Sequence, residues 1–552
     1  MSSSTKTKNK TKLKPKTKSK KIMIKKKKKV KKVVKKQVKD KKIVKSYLGS
    51  RGYVLIKKHF DAELIADLKN ELYASPYKPG DYGNGDDNEP FPIYMENPNK
   101  LYMPRYFGLE HFDTPDEYRV PDGTDINIEF KGNLRPHQLK PVNTCLNAFS
   151  GNGEGQRNGS GGGGGIISLG CGQGKTVIAL NIIAQVKKRT LVIVNKEFLM
   201  NQWIERIQQF LPDAQIGRIQ QKKVEIEGKD VVIGMLQSLS MKDYGIGAFD
   251  SFGLVVYDEC HLVPCRVFSK ILLKLNCKRH LGLSATPNRA DGMTKVIKMF
   301  IGDIIYKNIQ RTFCGNILVN RFVIQSDNEH YTKEVMNYRK QPIMATMINN
   351  ITEFGKRTKI ILDILKVLVK EKGEKRQILI LSNRRNHLAE MKKFVDTHKI
   401  ATTGYYIGGM KQKDLKLSED AQVIFGTFSM ADTGLDIKTL NTLILASPKS
   451  NIEQSVGRIM RKKHDFVLKI IDIVDDFSVF SNQGRKRMTL YKREMKRYRK
   501  EYGEDSFKIK TNIVDEDGFV KDTYFTEPGQ RGGRKKKNTI DLKTAGCLFS
   551  KN

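Results

Sequence analysis

Two short strings constrain this chain more than anything else in it. Gly172-Gln173-Gly174-Lys175-Thr176 follows the apolar stretch Ile166-Ile167-Ser168-Leu169 and opens a helical run, Thr176-Val177-Ile178-Ala179-Leu180. Downstream, Val255-Val256-Tyr257 ends in Asp258-Glu259-Cys260-His261. A strand, a Gly-rich turn and a helix N-terminus in succession cradle phosphates with backbone N–H groups and the helix dipole. Two adjacent carboxylates at the tip of a buried strand suit a Mg²⁺-dependent nucleoside triphosphatase. The pairing predicts an ATP-driven machine built on parallel sheets.

Short apolar runs and helical periods alternate on both sides of that pairing. Leu191–Val194, Val231–Met235, Leu254–Tyr257 and His280–Ser284 read as buried strands, and Glu197 to Phe210 has helical period. A second series opens near 355 with a helix from Lys359 to Lys370. Its strands are Ile378–Leu381, Val423–Phe425, Leu443–Leu445 and Leu468–Ile473. Strands separated by helices pair in parallel and are covered on both faces. Two such units in tandem leave a cleft between them.

The layout expected is a Lys-rich disordered tail over 1–46, a small N-terminal domain over 47–131, parallel-sheet domains over 132–325 and 326–484, and a basic extension and tail over 485–552. In the small domain Gly52–Ile56 reads as a strand. Asp61 can cap a helix carrying Leu64, Ile65, Leu68 and Leu72. A Pro/Gly/Asp-rich loop runs from Pro76 to Pro92, and the aromatic stretch Leu101 to Gly108 reads as core and interface rather than as a base-stacking surface. The Gly-rich run 151–165 precedes its strand and lacks Lys and Ser/Thr in register. It reads as a flexible loop, not a phosphate cradle.

The formal charge of +42 exceeds what solubility requires and points to a polyanion partner. Half of it lies in residues 1–46, which hold 22 Lys against one acid, Asp40. Self-repulsion and scarce apolar surface leave that tail disordered. It reads as an electrostatic arm on nucleic acid, although a nuclear-import signal has the same composition. A basic helix from Arg485 to Tyr502 and the string Arg531–Lys537 extend the positive surface. The seven cysteines form no C-x-x-C pair, which argues against zinc, iron–sulfur and disulfide frameworks and for a reducing compartment. No apolar run approaches the roughly 18 residues of a membrane span, and no signal-peptide stretch opens the chain. The expectation is a soluble protein inside a cell or packaged in a particle.

Each candidate residue has a chemical reason. Lys175 can reach the β and γ phosphates as a point charge, and the Thr176 hydroxyl can bind Mg²⁺. Leu169 stands where the usual loop has its first glycine. Asp258 is the metal carboxylate, and Glu259 the general base for the attacking water. Ser284-Ala285-Thr286 ends another strand, where small hydroxyl residues can link nucleotide state to domain closure. Gln454 to Arg461 is expected as a helix with Arg458 and Arg461 at i and i+3. Both guanidinium groups, with Gln454 on the same face, can then point across the cleft at one γ-phosphate.

As an ordered set, Leu134-Arg135-Pro136-His137-Gln138, the phosphate loop, Asp258-Glu259-Cys260-His261, Ser284-Ala285-Thr286 and Gln454–Arg461 resemble the motifs of superfamily 2 helicases over roughly 132–480. Leu169-Gly170-Cys171-Gly172, Gln202-Trp203 and Leu281-Gly282-Leu283 resemble the XPB-like branch, and the large-DNA-virus members related to the poxvirus transcript-release helicase are most similar. The resemblance implies two RecA-like domains with ATP and Mg²⁺ in the cleft. It implies that Gln138 reads adenine, that Gly434 and Asp436 contact nucleotide and ribose, and that His261 couples hydrolysis to the other domain. Lys196, Gln237, Ser382, Arg384, Gly408 and Thr427, with the neighbours Asn195, Ser238 and Gly409, are implied as strand-binding positions, gripping phosphates in a salt-dependent way. Two departures stand out. Arg289-Ala290-Asp291 replaces an Arg-Glu-Asp element of the XPB branch, which weakens a strand-opening role. Cys260 separates the chain from the DEAD-box RNA helicases.

The function expected is a DNA-dependent ATPase and helicase serving transcription in a large DNA virus, with viral RNA polymerase or transcription factors as partners and no membrane. The alternatives are an RNA helicase on the same core and a non-enzymatic nucleic-acid packaging protein.

Overall fold

The computed structural model describes residues 44–76, 89–150, 163–170, 172–245, 247–263, 266–267, 269–275, 277–289, 291–308, 314–371, 376–435 and 437–527. The tail to residue 43, loop residues 77–88, glycine-run residues 151–162, Cys171, Asp436 and the Arg531–Lys537 string lie outside them.

The first unit is a five-stranded sheet built from β1 (Ser46–Gly49), β2 (Gly52–Ile56), β3 (Met95–Glu96), β4 (Lys100–Met103) and β5 (Glu117–Tyr118), ordered β3-β4-β2-β1-β5. Helix α1 (Ala62–Glu71) starts after Asp61, as expected, but the Asp61 side chain makes no capping hydrogen bond. The aromatic stretch divides into β4 and α2 (Arg105–Phe112), both mainly buried. This unit shares one apolar core with the next domain: Tyr53, Leu55, Phe107 and Phe112 join Ile166, Leu191, Val255 and Phe300 in a single cluster. The buried Arg105 strengthens the joint by donating to the carbonyls of Cys277 and Lys278 at 3.4 and 3.0 Å.

The second unit opens with α3 (Pro136–Phe149) and β6 (Gly163–Leu169). It continues through α4 (Lys175–Val186), β7 (Thr190–Val194), α5 (Glu197–Phe210), β8 (Ile216–Gln220), β9 (Lys223–Val224), β10 (Val231–Met235), α6 (Leu236–Met241), β11 (Leu254–Tyr257), β12 (Arg279–Ser284), α7 (Thr294–Ile301) and β13 (Ile304–Asn308). The strand order is β9-β8-β10-β7-β11-β12-β6-β13, parallel except for the β8–β9 hairpin. Strand β6 begins inside the glycine run, two residues before the expected loop ends. Close packing explains why glycine forms a strand there. A Cβ on Gly164 would lie 2.3 Å from the Ile301 carbonyl oxygen, and one on Gly165 would meet the Ile305 side chain at 2.5 Å.

The third unit contains β14 (Ile317–Ile324), α8 (Met344–Glu353), α9 (Gly355–Val369), β15 (Ile378–Ser382), α10 (Arg385–Thr397), β16 (Thr403–Tyr406) and α11 (Gln412–Glu419). It goes on through β17 (Val423–Thr427), α12 (Phe428–Gly434), β18 (Thr442–Leu445), α13 (Glu453–Val456), β19 (Leu468–Asp475), α14 (Ser478–Tyr502), β20 (Phe507–Val514) and β21 (Val520–Phe525). The order is β16-β17-β15-β18-β19-β14-β20-β21, with β20–β21 as the antiparallel pair. This sheet takes in strands on both sides of the expected 326–484 limits. Buried ion pairs tie the added elements in. Asp472 accepts from Arg321 of β14 at 3.1 Å and from Arg487 of α14 at 2.7 Å, while Asp475 pairs with Arg357 of α9 at 2.6 Å. Removing one partner of such a pair costs about 3–5 kcal/mol, because it strands a buried charge. Both core sheets are thus α/β with RecA-like folds.

Candidate functional site

In both core sheets the candidate residues cluster just beyond the carboxyl ends of parallel strands, where an open α/β sheet leaves its binding crevice. The phosphate loop follows β6, Lys196 follows β7, Gln237 follows β10, and Asp258 and Glu259 follow β11. Ser284 ends β12. In the second sheet Ser382 and Thr427 end β15 and β17, and Gly408 follows β16.

The phosphate loop turns on Gly172 and Gly174, at φ +79° and +78°. Side chains other than glycine rarely adopt these angles, and Gly174 is also crowded: a Cβ there would meet Gln138 Nε2 at 2.2 Å. Gln138 itself is buried on the first turn of α3. Its Nε2 donates to the Gln173 carbonyl at 3.3 Å and its Oε1 accepts from the Arg135 N–H at 2.8 Å. That places the residue expected to read adenine directly beside the loop. Gly174 caps α4, so Lys175 and Thr176 are its first two residues, on the N-terminal turn whose amides favour anions.

Opposite, Lys175 Nζ lies 3.7 Å from Glu259 Oε1. Glu259 adopts a left-handed backbone, φ +48°, at the sharp turn after β11. Asp258 is held at both oxygens: Oδ2 accepts from the Trp203 indole N–H at 2.8 Å and Oδ1 from the Glu259 N–H at 3.1 Å. Burial pushes the Asp258 carboxyl up, and the charge of Glu259 adds to the shift. For Glu259 burial acts in the same direction but is outweighed by Lys175, His261 and Arg458, so this carboxyl is held down. Ionised Glu259 is the form that can accept a proton.

His261 links the turn to the next strand. Its Nδ1 is 3.0 Å from Ser284 Oγ and 3.3 Å from Glu259 Oε2, and the Ser284 hydroxyl also accepts from the Thr286 N–H at 3.1 Å. Arg289, paired with Asp291, donates to the His261 carbonyl. The three coupling candidates therefore form one chain of contacts, with Arg289 as an addition that the spacing of residues does not announce.

The second domain reaches into this site. Helix α13 ends at Val456, so Arg458 and Arg461 do not share a helix face with Gln454 as expected. The backbone tightens there, with the Arg458 N–H bonding to the Ser455 carbonyl at 3.1 Å, and the following residues run through turns. The turns still deliver both arginines. Arg458 is buried, donates to the Leu435 carbonyl at 2.9 Å and acts electrostatically on Glu259 across the cleft. Arg461 lies over the phosphate loop, its Cγ 3.6 Å from where a Gly172 Cβ would stand. Gln454 is half-buried on α13. Gly434 ends α12, and Asp436 is outside the described residues.

The strand-binding candidates divide by exposure. Gln237 is exposed on α6, while Lys196, Arg384, Gly408 and Thr427 are half-buried. Ser382 is buried, its hydroxyl bonded to His387 Nδ1 and to the Arg384 N–H at 3.2 Å each. It shapes the loop that presents Arg384 rather than facing solvent. Lys196 crosses the cleft, donating to the carbonyl and hydroxyl oxygens of Ser429 at 2.7 and 2.9 Å. Sequence reasoning did not single out Ser429. Among the described residues no group of three His, Cys, Asp or Glu side chains could hold a metal by itself, and no helix is long and apolar enough to cross a membrane.

The family model for the type III restriction enzyme res subunit matches residues 131–289, and that for the helicase conserved C-terminal domain matches 357–463. A "Putative ATP-dependent RNA helicase" of Acanthamoeba polyphaga mimivirus is 33% identical over 488 residues, covering 85% of this chain and 89% of that protein. A protein of African swine fever virus with the same description is 30% identical over 355 residues, covering 59% of this chain and 68% of its own length. A "Putative helicase" of Invertebrate iridescent virus 6 is 27% identical over 387 residues, covering 67% and 83%. With its motifs assembled around one cleft and this similarity spanning most of its length, the chain belongs to the ATP-hydrolysing superfamily 2 helicases, alongside those of large DNA viruses.

Proposed function

We propose that the chain is a Mg²⁺-dependent ATPase motor that moves along nucleic acid, acting on DNA in viral transcription, with transcript release as its task. The observation that supports the ATPase part of this reading is the closed site itself: Lys175 and Glu259 face each other at 3.7 Å while Arg458 from the other domain bears on the same carboxylate. Thr176 and Asp258 are the residues that would hold Mg²⁺. One partly exposed hydroxyl and one carboxylate with fixed oxygens fit an oxygen-seeking cation. When bound, the ion would neutralise phosphate charge and orient the phosphates.

Lys175 and the loop amides hold the triphosphate, with Gln138 beside them for the base. Glu259 takes a proton from the attacking water, and Arg458 and Arg461 stabilise charge on the transferred phosphoryl group. Loss of that group removes what draws the arginines in, so the cleft opens. His261, Ser284 and Thr286 pass the change to the first domain's strand-binding edge, and Lys196, Gln237, Arg384, Gly408 and Thr427 grip the phosphate backbone alternately. This reading places the protein beside the viral RNA polymerase or its transcription factors, in the infected cell or carried in the virion.

A second reading, an RNA motor, is favoured by the descriptions of the mimivirus and African swine fever virus relatives. Steady-state ATP hydrolysis with no polymer, single-stranded DNA, duplex DNA or RNA separates the two. Stimulation by DNA, with Glu259→Gln at least about 10²-fold slower, is expected. Stimulation by RNA alone would move the protein to the second reading, and Glu259→Gln at wild-type rate would sink the catalytic assignment.

A further inference from the structure

We infer that Trp203 is a positioning residue for the metal site, its indole N–H setting the direction of the Asp258 carboxylate. The inference rests on the assignment of Asp258 as the metal carboxylate. Trp203 is the chain's one tryptophan. It lies on α5, fully within the first domain's core among Val192, Val256, Ile178 and Ile204. A buried indole N–H needs an acceptor, and this one finds a carboxylate: Nε1 lies 2.8 Å from Asp258 Oδ2.

Two features make this more than satisfaction of a core side chain. The other oxygen, Oδ1, is engaged by the Glu259 N–H at 3.1 Å, so the carboxylate plane is fixed from both sides. Mg²⁺ demands near-ideal geometry and tolerates little play in its ligands. A hydrogen bond between an N–H and a charged acceptor is among the stronger kinds, and here it comes from a rigid bicycle that cannot turn within the core. Helix α5 also bears on the second domain: Phe198, five residues earlier, packs against that domain's core, and Lys196 just before the helix bonds Ser429. The helix that carries the carboxylate's donor thus also carries contacts to the second domain.

The test uses the full chain with Trp203 replaced by its benzothiophene isostere, which keeps the ring shape and lacks the N–H, and with Trp203→Phe beside it. Partners of this kind typically change metal affinity by 10–100-fold, so the Mg²⁺ concentration for half-maximal ATPase should rise about tenfold. For the isostere the thermal midpoint should match wild type. A half-saturation within about twofold of wild type would overturn the inference. A second readout needs no turnover. Wild-type tryptophan emission, titrated with Mg²⁺ in the presence of ADP, should change along a saturable curve and stay flat in Asp258→Asn. Unmoved wild-type emission would overturn the inference as well. Wild-type ATPase indifferent to Mg²⁺ would instead sink the metal assignment beneath it.

Discussion

Arg458 acts where two effects meet. In the proposed mechanism it stabilises the transferred phosphoryl group, and its charge helps hold the Glu259 carboxyl low despite burial. Arg458→Ala should therefore lower polymer-stimulated turnover by about 10³-fold, the range for arginines supplied across an interface. The Glu259 carboxyl should rise only slightly, because Lys175 and His261, the larger influences, still hold it down. Single-turnover hydrolysis at pH 7 reads the loss. The gathering of Lys175, Thr176, Asp258 and Glu259 at the ends of β6 and β11 was legible in the sequence, because a Gly-rich loop and a carboxylate pair each follow an apolar run. Ser382 shows the limit. The family resemblance implied Ser382 as a strand-binding position, and only the packing of His387 reveals that its hydroxyl faces inward.

At the scale of elements, apolar periodicity locates strands well because parallel strands are buried on both faces. The expected Val231–Met235, Leu254–Tyr257 and Glu197–Phe210 have the observed limits. Helix ends are less legible. Gln454–Arg461 has helical spacing, yet the helix ends at Val456, and Arg458 instead reaches the Leu435 carbonyl. Helix α14 begins seven residues before the expected Arg485. It buries Arg487, Tyr491, Met495 and Tyr498 and exposes Arg485, Lys486, Arg493, Lys496 and Lys500 along one side. Replacing Lys486, Lys496 and Lys500 together by Glu should weaken polymer binding and flatten the salt dependence. Up to three phosphate contacts would leave the slope of log affinity against log salt, at about 0.7–0.9 each. Polymer-free ATPase should not change. Fluorescence anisotropy with labelled DNA at several salt concentrations measures the slope.

For the whole molecule, two buried histidines set a pH limit. His280 in the first core sheet and His387 beside the second are held neutral, each pushed down to about 3 by burial, with a nearby Arg charge adding to it. In the unfolded chain both titrate near about 6.5. Below that value the unfolded state binds protons that the folded state refuses, so stability is full above about 6.5 and falls as pH drops toward 3. Thermal midpoints should decline between pH 7 and 5, and His280→Asn should reduce the steepness of that decline. The two-domain plan was legible because each half carries its own series of strands. The edges of the second sheet were not, since pairing between distant strands leaves no local mark. Strand β14 shows what that costs the growing chain. Its neighbours are Leu468–Asp475 on one side and Phe507–Val514 on the other. During synthesis Ile317–Ile324 emerges from the ribosome long before either partner exists, with both of its edges open to mispairing. Birth order and assembly order are opposed, so translation stalled before residue 507 would release a chain with an adhesive strand.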